Sequence, residues 1–313
     1  MIYVDVTGRC GNQLFQYAFA RKLSILNNDQ SFVFDFFHTE RIRKDKNDSS
    51  FCETLNCFNV LPYKSMIDNG NNVQCNGSRR QQKIYRKYPL ARKISYRLPH
   101  LNLLQKYQNK MQKNGIYKED ECFFTPIKTK EKDIFIRGYF EDQLYFDDIK
   151  DILFKEFEPK YPKKEKNKKL YDVIENEESV CVSFRVWSEI ADQPELVKQR
   201  DVCTKEYYIS AIEKMHELHP DATFIVFSND VEWVKKNIDF KYPVYFEAGD
   251  DEVWEKLRLM YSCKHFIMST STFCWWAQYL SRNPNKTVIS PSKWYADEKT
   301  SKLLREEWIK ISY

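Results

Sequence analysis

From residue 180 onward the chain alternates short apolar runs with amphipathic stretches, and this rhythm restricts the fold more than any other feature. The apolar runs cover residues 180–184, 223–227, 244–246, 265–268 and 287–289; the amphipathic stretches cover 205–218, 231–237, 252–262 and 272–280. Strand–helix alternation of this kind predicts a parallel, doubly wound sheet with helices on both faces. Such sheets bind ligands at the carboxyl ends of their strands.

One junction is richest in chemistry. Lys264-His265-Phe266-Ile267-Met268-Ser269-Thr270-Ser271-Thr272-Phe273 reads as a buried strand, a hydroxyl-rich turn and the opening of a helix. Phe273, Trp276, Ala277 and Leu280 carry the i, i+3, i+4, i+7 spacing of that helix. A helix start leaves unpaired N–H groups and the positive end of the dipole facing outward, which suits a phosphate. An ordinary N-cap on a core helix is the competing reading.

The first half begins with a strand at Ile2-Tyr3-Val4-Asp5-Val6. It passes through Gly8-Arg9-Cys10-Gly11 into a helical pattern from Asn12 to about Leu26, and Phe32-Val33-Phe34-Asp35 makes a second strand. A basic stretch then reads as mostly helical, broken near Pro89 and Pro99. The half closes with a strand at Ile134-Phe135-Ile136-Arg137-Gly138-Tyr139 and a helix over about 142–157. A charged, proline-containing run from Glu158 to Lys166 reads as a linker, which predicts two domains, 1–158 and 159–313.

With 42% apolar and 16% aromatic residues in 313, the chain can build two cores and is not disordered. Seven glycines exclude a glycine-rich repeat. No apolar run approaches the roughly 20 residues of a membrane span, and the first strand follows Met1 directly, so the expectation is a cytosolic chain. None of the nine cysteines forms a Cys-x-x-Cys pair, which predicts reduced, structural thiols and no zinc site. The net charge of +5 is unevenly spread. Between Asn69 and Lys118 there is no acidic residue, while Arg79, Arg80, Lys83, Arg86, Lys87, Arg92, Lys93 and Arg97 crowd together. Such a stretch can meet nucleic acid, an anionic membrane or a phosphorylated substrate, or be a solvated helical face.

Three further segments fall at strand ends. Gly8-Arg9-Cys10-Gly11-Asn12-Gln13 invites comparison with a dinucleotide fingerprint, but it lacks the three-glycine spacing that pyrophosphate approach and helix packing require. Arg185, after Ser183-Phe184, is costly at the end of a buried strand unless it meets an anion or carboxylate. Phe227-Ser228-Asn229-Asp230 ends another strand with three polar side chains in a row. Within the second half, Arg185, this polar strand end and the turn from Ser271 to Phe273 are the parts needed to hold a nucleoside diphosphate without a metal.

The same segments resemble those of the bacterial GDP-fucose-dependent α-1,2-fucosyltransferases, glycosyltransferase family 11. Gly8-Arg9-Cys10-Gly11-Asn12-Gln13-Leu14-Phe15-Gln16-Tyr17-Ala18 is similar to that family's G-x-x-G-N-Q-x-F-Q-Y-A signature, and Gly138-Tyr139-Phe140 with Tyr145-Phe146 to its G-Y-F-Q…Y-F segment. Phe227-Ser228-Asn229-Asp230 with Glu232-Trp233 resembles F-S-D-D-x-E-W. Ser271-Thr272-Phe273-Cys274-Trp275-Trp276 with Pro291 and Trp294 resembles S-T-F-S-W-W…P-x-x-W. The resemblance implies an α/β fold of GT-B type: two facing Rossmann-like domains with mostly parallel sheets, the first on the acceptor side and the second binding the GDP-sugar. It also implies inverting transfer of L-fucose from GDP-fucose to a galactoside hydroxyl, with no cofactor and no required metal. Arg185 would pair with the pyrophosphate, and Ser271, Thr272 and Phe273 would donate to it. Gly11, Asn12 and Gln13 would approach from across the cleft, and Asn229 and Asp230 would lie near the nucleoside.

The departures from the family pattern fall on the acceptor chemistry. H-x-R-R-G-D appears as Ser183-Phe184-Arg185-Val186-Trp187-Ser188, the glutamine after G-Y-F is Glu141, and the Asn before S-T-F is Thr270. Glu189, one residue beyond Ser188, is the expected general base; the alternatives are Asp192, Glu141, or no dedicated base, with the departing phosphate accepting the proton. The expected acceptor is an oligosaccharide or lipid-linked glycan, which implies a peripheral contact with an anionic inner membrane face and no nucleic-acid partner. A related GDP-sugar transferase with another donor or linkage is the main alternative; a nucleic-acid-binding protein is a distant one.

Overall fold

The computed structural model describes residues 1–66, 77–97, 102–118, 125–187, 194–297 and 301–312. The chain divides into Met1–Phe157 and Glu158–Tyr313. Each unit is a Rossmann-like α/β layer built on its own parallel sheet, the pair of units from which a GT-B protein is made. No helix among the described residues is long and apolar enough to cross a membrane.

The first unit runs β1 (Ile2–Asp5), α1 (Cys10–Leu26), β2 (Phe32–Asp35), α2 (Phe37–Lys46), β3 (Tyr63–Met66), α3 (Arg79–Arg97), α4 (Leu103–Lys113), β4 (Ile116–Lys118), β5 (Ile134–Arg137) and α5 (Lys150–Glu156). Its strands lie in the order β3-β2-β1-β5-β4 and every pair is parallel. The inner strands read as near-continuous apolar runs because helices cover both sheet faces. The first helix begins at Cys10 and not at Asn12, with Arg9 in the N-cap position. Phe19 on α1 stacks on Phe140 at 4.0 Å, which holds the turn after β5 against the helix. Phe140 takes the left-handed conformation, φ +54°, and is fully buried, so packing imposes a backbone that a bulky residue otherwise avoids.

Two expectations for this unit need correction. The α3 helix passes through Pro89 without ending. Its inner face packs Ile84 and Tyr88 against Leu104, Met111, Ile116 and Phe135. Burying two such side chains, at about 1.5–3 kcal/mol each, offsets the about 3 kcal/mol that an interior proline costs. Pro99 lies outside the described residues. The single helix expected over 142–157 is instead two 3-10 turns, Gln143–Tyr145 and Asp147–Ile149, followed by α5. Asp142 closes the first of them by accepting from Leu144 N–H at 3.0 Å.

The second unit runs α6 (Lys168–Asn176), β6 (Glu178–Phe184), α7 (Pro194–Arg200), α8 (Lys205–Leu218), β7 (Ala222–Ser228), α9 (Val231–Asn237), β8 (Val244–Phe246), α10 (Val253–Ser262), β9 (His265–Ile267), α11 (Thr272–Leu280), β10 (Val288–Pro291) and β11 (Ile309–Ile311). The parallel strand order is β11-β10-β9-β6-β7-β8. From β6 the chain winds outward through β7 and β8, then returns to β9 on the other side of β6 and winds the opposite way. The switch point therefore lies between β6 and β9, where a doubly wound sheet opens a crevice at its carboxyl edge. Helix α11 is buried from Cys274 to Leu280 with only its first turn open, because its sequence is apolar nearly all round.

Candidate active site

Three strand ends meet at the carboxyl edge of the second sheet. At the switch point Ser183 and Ser269 join β6 to the β9 turn through their hydroxyls, 3.0 Å apart and buried. Helix α8 fixes both strand ends from beneath. Tyr207 donates to the Met268 carbonyl at 2.6 Å; Tyr208 donates to the Ser183 carbonyl at 3.1 Å and accepts from Arg185 N–H at 3.3 Å. Burial raises the Tyr208 hydroxyl well above its ordinary pKa, so it keeps the proton that this bond needs. Phe184 stacks on the same ring at 3.9 Å. Arg185 thus leaves the strand from a fixed backbone, half-buried, its guanidinium 4.6 Å from the centre of the Trp187 ring.

On the neighbouring strand, Ser271 takes the N-cap of α11 with extended backbone, and its carbonyl accepts from Trp275 N–H at 3.0 Å. Its side chain makes no cap hydrogen bond. The first-turn N–H groups of Thr272 and Phe273 have no carbonyl within the helix to bond, so they and the dipole present a positive end at the crevice. Thr270 to Phe273 are half-buried. The structure therefore brings Arg185 and the 271–273 turn to adjacent strand ends.

Asn229 and Asp230 end β7 beside them, but with duties of their own. The Asn229 amide accepts from Val186 N–H at 2.9 Å and donates to the Val186 carbonyl at 2.7 Å, clamping the loop that follows Arg185. Asp230 caps α9 by accepting from Trp233 N–H at 2.9 Å. Glu189, Ser188 and Asp192 lie outside the described residues. Sequence reasoning missed Arg200, which ends α7 with its guanidinium 5.8 Å from the Trp187 ring and its carbonyl in long contact with Thr270 Oγ1. Nothing in its exposed, charged surroundings in sequence marks it.

The residues expected from the first unit sit at that unit's own switch point, between β1 and β5. Gly8 has φ +83°, and an added Cβ would lie 2.8 Å from Asn12 side-chain atoms, so only glycine allows Asn12 its place. Asn12 donates to Glu141 Oε1 at 2.8 Å across the switch point, and Gly11 is buried in the first turn of α1. Gln13 corrects the expectation. Its side chain is fully buried, donates to the carbonyls of Gly8 and Cys52, and accepts from both the N–H and the hydroxyl of Thr54. An amide with all its bonding directions used inside the core anchors a loop and cannot meet a phosphate.

Among the described residues two groups have metal-ligand composition, Glu178–His219–His265 and Glu247–Asp250–Asp251. The first lies at the amino ends of β6 and β9, away from the crevice. There Thr287 N–H donates to His265 Nδ1 at 2.9 Å, so the ring's proton is on Nε2, which donates to Glu178 at 2.6 Å. A metal on Nε2 would have to displace that proton while Nδ1 stays an acceptor, which a neutral imidazole cannot do. The acidic group is matched by lysines: Lys256 lies 3.1 Å from Glu247, and Lys166 lies 2.7 Å from Asp250 and 3.0 Å from Asp251.

The sequence of the chain is similar to those of known glycosyltransferases. The model of glycosyl transferase family 11 matches residues 1–312. An O-antigen biosynthesis glycosyltransferase of Escherichia coli, WbnK, is 27% identical over 320 residues, covering 99% of this chain and 100% of that protein. An α-1,2-colitosyltransferase of Escherichia coli is 29% identical over 182 residues, 56% of this chain and 61% of that protein. Human galactoside α-(1,2)-fucosyltransferase 1 is 36% identical over 78 residues, 24% of this chain and 21% of that protein.

Proposed function

The chain belongs to glycosyltransferase family 11, and from that premise we propose that this hexosyltransferase moves L-fucose from GDP-fucose to a galactoside hydroxyl, forming an α-1,2 linkage in a surface glycan. The observation that carries the reading is the pairing, at one switch point, of the fixed Arg185 with the open first turn of α11. The likeness to an O-antigen glycosyltransferase over the full length of both chains supports a glycan acceptor, and the stretch shared with a human galactoside α-1,2-fucosyltransferase supports the linkage.

In this reading the acceptor oxygen attacks the anomeric carbon from the face opposite the nucleotide. The bond to the diphosphate oxygen breaks, GDP leaves with the electron pair, and the anomeric configuration inverts. The Arg185 fork and the N–H groups of Thr272 and Phe273 meet the negative charge that builds on the departing phosphate. Together they supply the charge that a metal would otherwise provide, so no metal is required. Asn229 and Asp230 shape the nucleoside side of the site by holding the loop and helix around it. Glu189 takes the acceptor's proton. A second reading, another deoxy-sugar on the same nucleotide, is favoured by the match to an α-1,2-colitosyltransferase.

A donor screen tests the proposal. GDP should raise the melting temperature and UDP should not, with chelator present throughout. At a hundredfold excess over Kd the stabilisation should be about 2.7 kcal/mol. An equal response to UDP, or a response only with manganese, would refute it.

A further inference from the structure

We propose that the solvent face of α3 is a docking surface for an anionic lipid bilayer. The inference comes from the surface of the first unit and does not depend on the identity of the donor.

Unbroken passage through Pro89 gives this helix two consistent faces. Ile84 and Tyr88 point into the core. At 100° per residue the opposite face is centred on Leu90, and it carries Arg79, Lys83, Arg86, Lys87, Lys93 and Arg97, all exposed. Leu90 is 60% exposed and Ile94, one turn on, 39%, so two large apolar side chains stand in the middle of a cationic field. No acidic residue occurs anywhere between Asn69 and Lys118 to offset that charge. The next helix, α4, also carries exposed lysines, Lys106, Lys110 and Lys113.

A solvated face selected only for solubility mixes both signs of charge and keeps branched apolar residues inside. A nucleic-acid surface uses the cations but gains nothing from aliphatic side chains at its centre, since bases stack on aromatic rings. A bilayer uses both. Lipid phosphates and serine carboxylates face the arginines and lysines, while Leu90 and Ile94 enter the boundary between headgroup and acyl chain. Only the membrane accounts for every exposed feature of this face.

Vesicle flotation of the full chain tests the proposal, with phosphatidylcholine vesicles against vesicles holding about 30% phosphatidylserine. The protein should float with the anionic vesicles only and be released by salt near 0.5 M, as about a 4 Å screening length implies. Lys83→Gln with Lys87→Gln should weaken partition roughly 25-fold, two residues at about fivefold each. Leu90→Ser with Ile94→Ser should weaken it at least about tenfold while leaving any affinity for a single-stranded RNA unchanged. Both double variants leave Ile84 and Tyr88 in place, and their circular dichroism and melting temperature should match those of the unaltered chain. Equal recovery in the soluble fraction on both vesicle types overturns the proposal. So does an unchanged partition of the Leu90/Ile94 variant, or tighter binding to the RNA than to the anionic vesicles.

Discussion

Asn229→Ala isolates the loop that carries Arg185. In the folded chain this amide makes two hydrogen bonds to Val186, 2.9 Å as acceptor and 2.7 Å as donor, both in an exposed setting. Each such bond nets about 0.5–1.5 kcal/mol, and exposure argues for the lower half, so the pair orders the loop by about 1–2 kcal/mol. The loop can open without disturbing the sheet, so the denaturation midpoint should move little. GDP affinity should take the loss instead. A site that must reorder before it binds loses the matching factor, about 5- to 30-fold in Kd. Asn229→Asp makes a sharper test. One oxygen can still accept from Val186 N–H, but the other would face the Val186 carbonyl, and the new charge would oppose a diphosphate. It should weaken GDP binding more than alanine does. Calorimetric titration of both folded variants decides; affinities within about twofold of the unaltered chain would show that the clamp does not hold the site.

Arg185→Lys keeps the charge but loses the planar fork, and kcat should fall by about 10²–10³ under saturating donor; near-normal turnover would make Arg185 a structural cation. Glu189→Gln should lower kcat by about 10²–10⁴ with GDP affinity unchanged, and a large loss in Glu141→Gln with none in Glu189→Gln would transfer the base to the carboxylate that Asn12 holds. Gln13→Ala strands four hydrogen-bonding partners, the two on Thr54 buried, and should cost about 3 kcal/mol in urea denaturation, with GDP affinity of the folded fraction unaltered; loss of affinity without loss of stability would restore it to the site. The His265 hydrogen bond is the main cause holding Glu178 below its ordinary carboxylate pKa of 4.5. Below that pH the unfolded chain takes up the proton first, so the fold weakens toward acid. His219, pushed below 6.5 chiefly by burial, acts in the same direction at higher pH. Melting temperature against pH should therefore fall less steeply below 4.5 in Glu178→Gln, and parallel curves would remove Glu178 from the account.

Strands of the second sheet were legible because burial on both faces leaves an apolar run at the centre of each, 180–182 in β6, 224–227 in β7 and 266–267 in β9. The edge strand β3, Tyr63-Lys64-Ser65-Met66, has no buried residue and so no apolar run to read. Helix α2 buries only Thr39, which erases the 3.6-residue pattern. Proline at 89 was read by its local cost alone, while the buried face that offsets it depends on α4 and β5. Arg185 and the 271–273 turn were legible as the end of a strand and the start of a helix. Gln13 and Asn229 were not, because a sequence records that an amide is present and not whether the nearby backbone has already claimed it.

Helix α11 sets a limit on how this protein can be altered. Every residue from Cys274 to Leu280 is buried, and Trp275, Trp276 and Tyr279 pack against one another at 5.0–5.4 Å between ring centres. There is no outward side on which variation is free, so a mutational scan of this segment should return almost no viable clones. A selection for new sugar specificity would find its successes among the loops that surround this helix, while the helix itself stays unchanged through every round.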